Sequence, residues 1–187
     1  ITTKFITDST NSDVLALPST ERPAVVVAEM QRSGRGRRSK AWLSPLAKNL
    51  YFSMRFTFKR AKLQDLSTLS LWIGLAALDL LRNEGIEQVQ MKWPNDLWAN
   101  EQKLAGILVE SFPSGESITT VMGIGINNHQ DQERNTLENR PTDCESILGR
   151  PLDRNRLAAG LGDRFLAICE MLEAGERAQY IPNLFKL

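Results

Sequence analysis

Gln31-Arg32-Ser33-Gly34-Arg35-Gly36-Arg37-Arg38-Ser39-Lys40-Ala41-Trp42 stands between two apolar runs, and the three pieces together decide how the chain is read. The run before it, Ala24-Val25-Val26-Val27-Ala28, is continuous and β-branched, and reads as a fully buried strand. The run after it, Asn49 to Phe58, alternates at period two, with Leu50, Phe52, Met54, Phe56 and Phe58 on one face. The loop therefore hangs from two core strands. Five of the nine residues from Arg32 to Lys40 are basic, so the segment repels itself and has little to bury. An anion would order it, because glycines admit close backbone approach and arginines bind in a forked, charge-assisted way. By itself the loop reads equally as a solvated basic segment, or as a nucleic-acid or targeting patch.

Elements follow outward from this centre. Lys4 to Thr7 suits a strand, and Asp8-Ser9-Thr10-Asn11 offers helix caps to a short helix ending before Pro18. The same quartet would also serve as hydroxyls and amides facing a small polar ligand. Asp65 to Glu84 reads as a long, largely buried helix stopped by Gly85. Val89 to Trp93 is a strand and Pro94-Asn95-Asp96 a turn, with Trp93 in the core if the turn is only structural. Leu97 to Ala99 and Leu104 to Glu110 form a hairpin, and Ile118 to Ile126 is a further strand. Thr142-Asp143-Cys144-Glu145 has the form of a capping box. Pro151 to Glu173 is amphipathic, and a second helical piece runs from about Glu176 towards Tyr180. Links of hairpin length, or through a helix, predict an α+β domain: a mixed, largely antiparallel sheet with helices packed mainly on one face.

The 187 residues suit one domain, 1–187, with 42% hydrophobic and 24% charged residues. A net charge of +1 argues against a general nucleic-acid binder, so the basic charge at 32–40 is local. Cys144 and Cys169 show no metal spacing and read as buried small residues, which suits an intracellular, cytoplasmic protein. Leu66 to Leu81 is broken by polar residues and is no membrane span. The chain opens on Ile1 rather than Met, as a piece of a longer polypeptide would.

The chemistry on offer is cationic. His129 is the single histidine, so neither a nucleophilic triad nor a two-histidine metal site is expected. Gly34-x-Gly36-x-x-Ser39 fails as a dinucleotide turn, because its third glycine is Ser39 and no helix start follows. There is no P-loop. Lys92-Trp93-Pro94-Asn95-Asp96 gathers a cation for phosphate and a carboxylate for a metal ion or amine. Lys103 opens an apolar strand whose Ala105 and Gly106 admit close approach. Gly123-x-Gly125-x-Asn127 offers bare backbone to an adenine or ribose, unless it is a bulge or turn. Trp42 stacks on a base or belongs to the core. Cations so placed stabilise charge in phosphoryl or nucleotidyl transfer.

In this order, Asp8–Asn11, Gln31 with Gly34–Arg38, Trp42, Asn49–Tyr51, the KWPND run at 92–96, KLAGILVE at 103–110 and Gly123–Asn127 resemble the catalytic domain of the biotin protein ligases. The resemblance implies that biotin and MgATP form biotinyl-5′-AMP, and that a lysine of a biotin carboxyl carrier protein then takes the biotin. It implies biotin contacts from Ser9, Thr10, Asn11 and Gln31, and a cover over the acyl group and phosphates from Arg35, Gly36 and Arg37. Lys103 would bind carboxylate and α-phosphate. Arg37, Arg38, Trp42, Lys92 and Asn127 would hold ATP or the adenylate. Asp96 would lie near Mg²⁺ or the incoming lysine, and the catalytic set would be Lys103, Arg35, Arg37 and Asp96. Ser39 and Ala41 depart from the glycine and basic residue common there. The family's C-terminal β-barrel and N-terminal helix-turn-helix are expected to lie outside this chain, leaving a domain that binds no nucleic acid or membrane. The resemblance leaves room for a homodimer. A lipoate or octanoate ligase or transferase is the nearest alternative, and a nucleic-acid module using 32–40 is one from another class. The loop is expected to act as a lid, hinged at Gly34 and Gly36 and weakly ordered without ligand.

Overall fold

A computed structural model describes residues 1–18, 22–129 and 141–175. Seven strands form one sheet: β1 (Thr2–Thr7), β2 (Ala24–Gln31), β3 (Leu50–Phe58), β4 (Gln90–Lys92), β5 (Asp96–Ala99), β6 (Gln102–Ser114) and β7 (Ser117–Ile126). Their spatial order is β1-β2-β3-β7-β6-β5-β4. Only β1 and β2 pair in parallel, across the helix α1 (Thr10–Ala16); the other neighbours are antiparallel. The mixed α+β sheet expected from the sequence is the one observed.

The expected alternation of β3 holds: Leu50, Phe52, Met54 and Phe58 are buried in the main core. That face is covered by α2 (Leu69–Asn83) and α4 (Arg154–Glu173), with Phe165 edge-on to Phe52 at 5.6 Å. The long helix begins later than its sequence suggests, because Asp65–Thr68 is a 3₁₀ turn. It ends as read, with Gly85 in the left-handed region at φ 103°. Helix α4 starts at Arg154, capped by the Asp153 carboxylate. The short α3 (Cys144–Leu148) is capped by Asp143, which accepts from Ser146 N, rather than by the expected Thr142.

The opposite face departs from expectation. Tyr51, Ser53 and Arg55 are buried as well: Ser53 meets Thr10 and Asn11 of α1, Arg55 donates to Leu17 O and Pro18 O just beyond it, and Tyr51 donates to Pro45 O. Val14 of α1 packs there on Val26 and Val121. Strand β2 is only half buried, with Val26 and Ala28 inside, since its neighbour β1 is an exposed edge. Asn100 and Glu101 close the β5–β6 hairpin with φ values of 51° and 60°. Trp93 is 80% exposed, not a core residue. The helical piece expected near 176–180 lies outside the described residues. Among the described residues no helix is long and apolar enough to cross a membrane.

Candidate functional site

Register sets the floor of the site. Ser53 pairs with Gly123 and Tyr51 with Gly125, while Gly106 and Leu108 pair with Gly125 and Gly123 across β6 and β7. Three glycines thus share the face opposite α2 and α4. Over them lies a cavity of about 920 Å³. The structure brings Ser9, Thr10, Asn11, Gln31, Arg35, Gly36, Arg37, Arg38, Trp42, Asp96, Lys103 and Asn127 to its walls. Lys92 is not among them. Its ammonium sits 3.3 Å over the ring of Trp98, which is itself a lining residue, in a cation–π contact.

One end of the cavity is a hydrogen-bonded cluster. Thr10 N and Oγ1 donate to Gln31 Oε1 at 2.9 and 3.1 Å. Gln31 Nε2 donates to Ser44 Oγ at 2.9 Å, and Ser44 donates on to Trp42 O at 3.0 Å. Ser53 Oγ lies 2.7 Å from Thr10 Oγ1 and 2.6 Å from Asn11 Oδ1. Asn11 Nδ2 donates to Glu110 Oε2 at 2.8 Å. Ser9 occupies the N-cap position of α1, yet its side chain makes no capping bond. The quartet at 8–11 therefore contributes to this cluster more than to capping.

The other end is cationic. Lys103 Nζ lies 2.8 Å from Asp96 Oδ1 and 5.2 Å from the Trp42 ring centroid. Arg37 Nη1 reaches Asn95 Oδ1 at 3.4 Å, and Asn95 in turn donates to Ile107 O at 2.9 Å. Arg35 Nη1 donates to Ser12 Oγ at 2.8 Å, and its Nη2 pairs with Glu110 at 3.3 Å. Asn127 is buried, with Nδ2 donating to Lys103 O and Thr142 O at 3.2 and 2.9 Å. It ties the 142 segment to β6 while its side chain borders the cavity.

One expectation about glycines changes. The backbone at Gly123 and Gly125 is not bare: Asn11 lies against Gly123, and the Trp42 indole against Gly125 and Gly106. The expected hinge positions Gly34 and Gly36 also have local partners. A Cβ on Gly34 would meet Trp42 O at 2.5 Å and Ser44 Oγ at 2.7 Å, so Gly34 is required by packing. Gly36 N donates to Lys40 O at 2.7 Å, with an ordinary φ of −113°. The left-handed residue of the loop is Arg38, at φ 55°.

Ser44 and Ser53 contribute to the site and were not singled out from sequence; Asn95 and Glu110 stood in the quoted motifs without an assigned role. A polar residue in the middle of an apolar strand was the available signal for Ser53. Among the described residues no three His, Cys, Asp or Glu groups converge on a metal position. Asp96 is a single carboxylate already paired with Lys103.

Fold likeness narrows the class first. A biotin protein ligase from Aquifex aeolicus, solved in complex with biotin and ATP, matches with a TM-score of 0.77 at 25% identity, covering 96% of this chain and 74% of that one. A biotin protein ligase from Leishmania major, solved in complex with biotinyl-5-AMP, shares the fold with a TM-score of 0.73 at 22% identity, covering 98% and 78%. The model of the Biotin/lipoate A/B protein ligase family then matches residues 3–127, and the chain belongs to that family. The bifunctional ligase/repressor BirA of Escherichia coli (strain K12) is 36% identical over 184 residues, covering 97% of this chain and 57% of BirA. The biotin–[acetyl-CoA-carboxylase] ligase of Mycobacterium tuberculosis is 35% identical over 164 residues, covering 83% and 58%. The chain thus spans a little over half the length of these relatives.

Proposed function

We propose that this chain activates biotin with ATP to biotinyl-5′-AMP and passes the biotin to a lysine of a biotin carboxyl carrier protein, in the cytoplasm. One observation carries the reading. A single cleft runs from the hydroxyl and amide cluster of Thr10, Asn11 and Gln31 to the cations Arg35, Arg37 and Lys103, with an indole and Asn127 beyond. A polar bicyclic head, an acyl tail ending in carboxylate, and a nucleotide fit that sequence of surfaces. Relatives named as biotin–[acetyl-CoA-carboxylase] ligases support both substrate and acceptor.

The first step joins two anions. A biotin carboxylate oxygen bonds to the α-phosphorus of ATP, the bond from that phosphorus to the bridging oxygen breaks, and pyrophosphate leaves. Lys103 and Arg37 offset the repulsion and hold the growing charge. Mg²⁺ enters with the triphosphate as part of the nucleotide substrate and shields its charge; the described residues assemble no separate cage for it. Lys103 begins the cycle paired with Asp96, so substrate anions compete for its ammonium. In the second step the carrier amine attacks the acyl carbon, the carbon–oxygen bond of the anhydride breaks, and AMP departs. Asp96, released from Lys103, takes the proton that the amine loses. The basic loop acts as a lid that keeps water from the anhydride.

Mass spectrometry of a carrier domain incubated with biotin, MgATP and this chain tests the reading. One biotinyl group on one carrier lysine is expected. Pyrophosphate exchange into ATP driven by lipoate but not by biotin overturns the choice of acid.

A further inference from the structure

Glu110 is absent from the cavity wall, yet it touches two residues that form it. Its Oε2 accepts from Asn11 Nδ2 at 2.8 Å, and its carboxylate pairs with Arg35 Nη2 at 3.3 and 3.4 Å. Arg35 is completed by Ser12, and Asn11 lies flat on Gly123. The carboxylate thus joins the ring end of the cleft to the basic loop.

Counting protons shows what the charge does. The Glu110 carboxylate at 2.8 Å and, more weakly, the Leu108 carbonyl at 3.5 Å only accept, so Asn11 gives them its NH₂ and turns Oδ1 towards Ser53. The single Ser53 hydroxyl proton then faces two acceptors, Asn11 Oδ1 at 2.6 Å and Thr10 Oγ1 at 2.7 Å. The Thr10 hydroxyl proton goes to Gln31 Oε1, and Ser44, donating to Trp42 O, makes Gln31 present its NH₂ there. Ser53 satisfies one acceptor at a time, so whenever its proton serves Thr10 the Asn11 Oδ1 is open to a donor. A ligand N–H supplies it.

We propose that Glu110 is a positioning residue that holds the Asn11 amide as an acceptor towards the cavity and pins Arg35 of the basic loop beside it. The ligand class it selects carries an N–H donor at its ring end. The ligand arm of the test rests on the biotin reading above; the loop arm does not.

Glu110→Gln keeps the size of the side chain and removes its charge. The amide can offer a donor, so only the long 3.5 Å bond to Leu108 O still opposes reversal of Asn11, and Arg35 loses its counter-ion. Trypsin treatment of the ligand-free protein reads the second effect, since the loop holds five cleavage sites from Arg32 to Lys40. Cleavage there should quicken at least about threefold, in keeping with loss of a partly exposed pair. On an Arg35→Ala background the same change should add nothing. Titration with biotin reads the first effect: Kd should rise about tenfold per active site, the scale of a lost bond to a charged group. A merely structural role would lower the active fraction and the melting temperature and leave Kd per site unmoved. Wild-type cleavage with wild-type Kd overturns the proposal. A wild-type protein that binds no biotin, with the cleavage difference intact, overturns the biotin reading and leaves the positioning of Arg35 standing. Should Glu110→Gln not fold by circular dichroism, Glu110→Asp takes both tests; its shorter carboxylate is expected to give smaller shifts of the same sign, and no shift overturns the proposal.

Discussion

Replacing Lys103 by Ala separates what this residue does for the fold from what it does for the reaction. The ammonium lies 2.8 Å from Asp96, with the two side chains 29% and 23% exposed. Breaking a fully buried pair by removing one partner costs about 3–5 kcal/mol, and an exposed pair is worth about 0–1 kcal/mol. A pair about a quarter exposed falls between, so Lys103→Ala should destabilise by about 1–2 kcal/mol. For a chain of this size that lowers Tm by roughly 2–8 °C, which scanning calorimetry resolves. The loss arises from the stranded Asp96 carboxylate, so adding Asp96→Asn should restore most of it. Catalysis should not follow. Losing one pre-placed donor to developing charge costs about 10²–10³ in rate, and biotin-dependent pyrophosphate exchange should fall that far in both the single and the double variant. Exchange within about threefold of wild type in Lys103→Ala would refute the catalytic assignment. A double variant no more stable than the single would refute the stranded-charge argument.

Arg37 makes one long contact, to Asn95 at 3.4 Å, so Arg37→Ala should leave Tm within about 1 °C while abolishing exchange; unfolding in urea and the exchange assay check the two halves. Gly125→Ala places a methyl where the Trp42 indole lies, and the ring must leave its seat. Trp42 fluorescence should shift, ATP affinity should weaken at least about tenfold, and stability should fall by about 1–3 kcal/mol. Cys144 gives a pH signature. Burial, and then Asp143, push its thiol from 9.0 up to about 12, and burial raises Cys169 as well. A group held protonated by folding contributes stability that is whole below the unfolded pKa. That contribution is lost as pH rises from about 9 towards 12, so urea midpoints should fall across this window and Cys144→Ala should flatten the decline. Below pH 9 neither thiol should react with iodoacetamide in the native protein.

Much of the fold was legible because local rules and burial agree. The alternation of Leu50 to Phe58, the stop at Gly85 and the β5–β6 hairpin are all short-range signals, and they hold. Composition alone marked the basic loop as self-repelling and short of apolar surface, and left an anion site and a solvated segment equally open. What escaped was set by distant partners. Asn11 meets Ser53 across 42 residues and Glu110 across 99, so neither partner is marked in its own segment. Lys92 was read as facing a phosphate, and nothing local says that its ammonium rests over Trp98 on the neighbouring strand. Gly123 and Gly125 were read as open backbone, because a missing side chain does not say what fills the space.

Strand order has a consequence for how the chain is built. β7 enters last of the seven strands and lies between β3 and β6, pairing with both. Until it arrives, the amino-terminal strands end in the unpaired edge of β3, and the hairpins of β4 to β6 end in the unpaired edge of β6. Each is a long template that any extended chain can join. The pairs that close the gap at β3 reach from Leu50 to Ile126, so the capture of β7 carries the largest loop-closure cost of the strand pairings. A ribosome that stalls before residue 117 releases two open edges and none of the three glycines' completed floor. Aggregation of such truncated chains, rather than of the finished domain, is where the synthesis of this protein is most exposed.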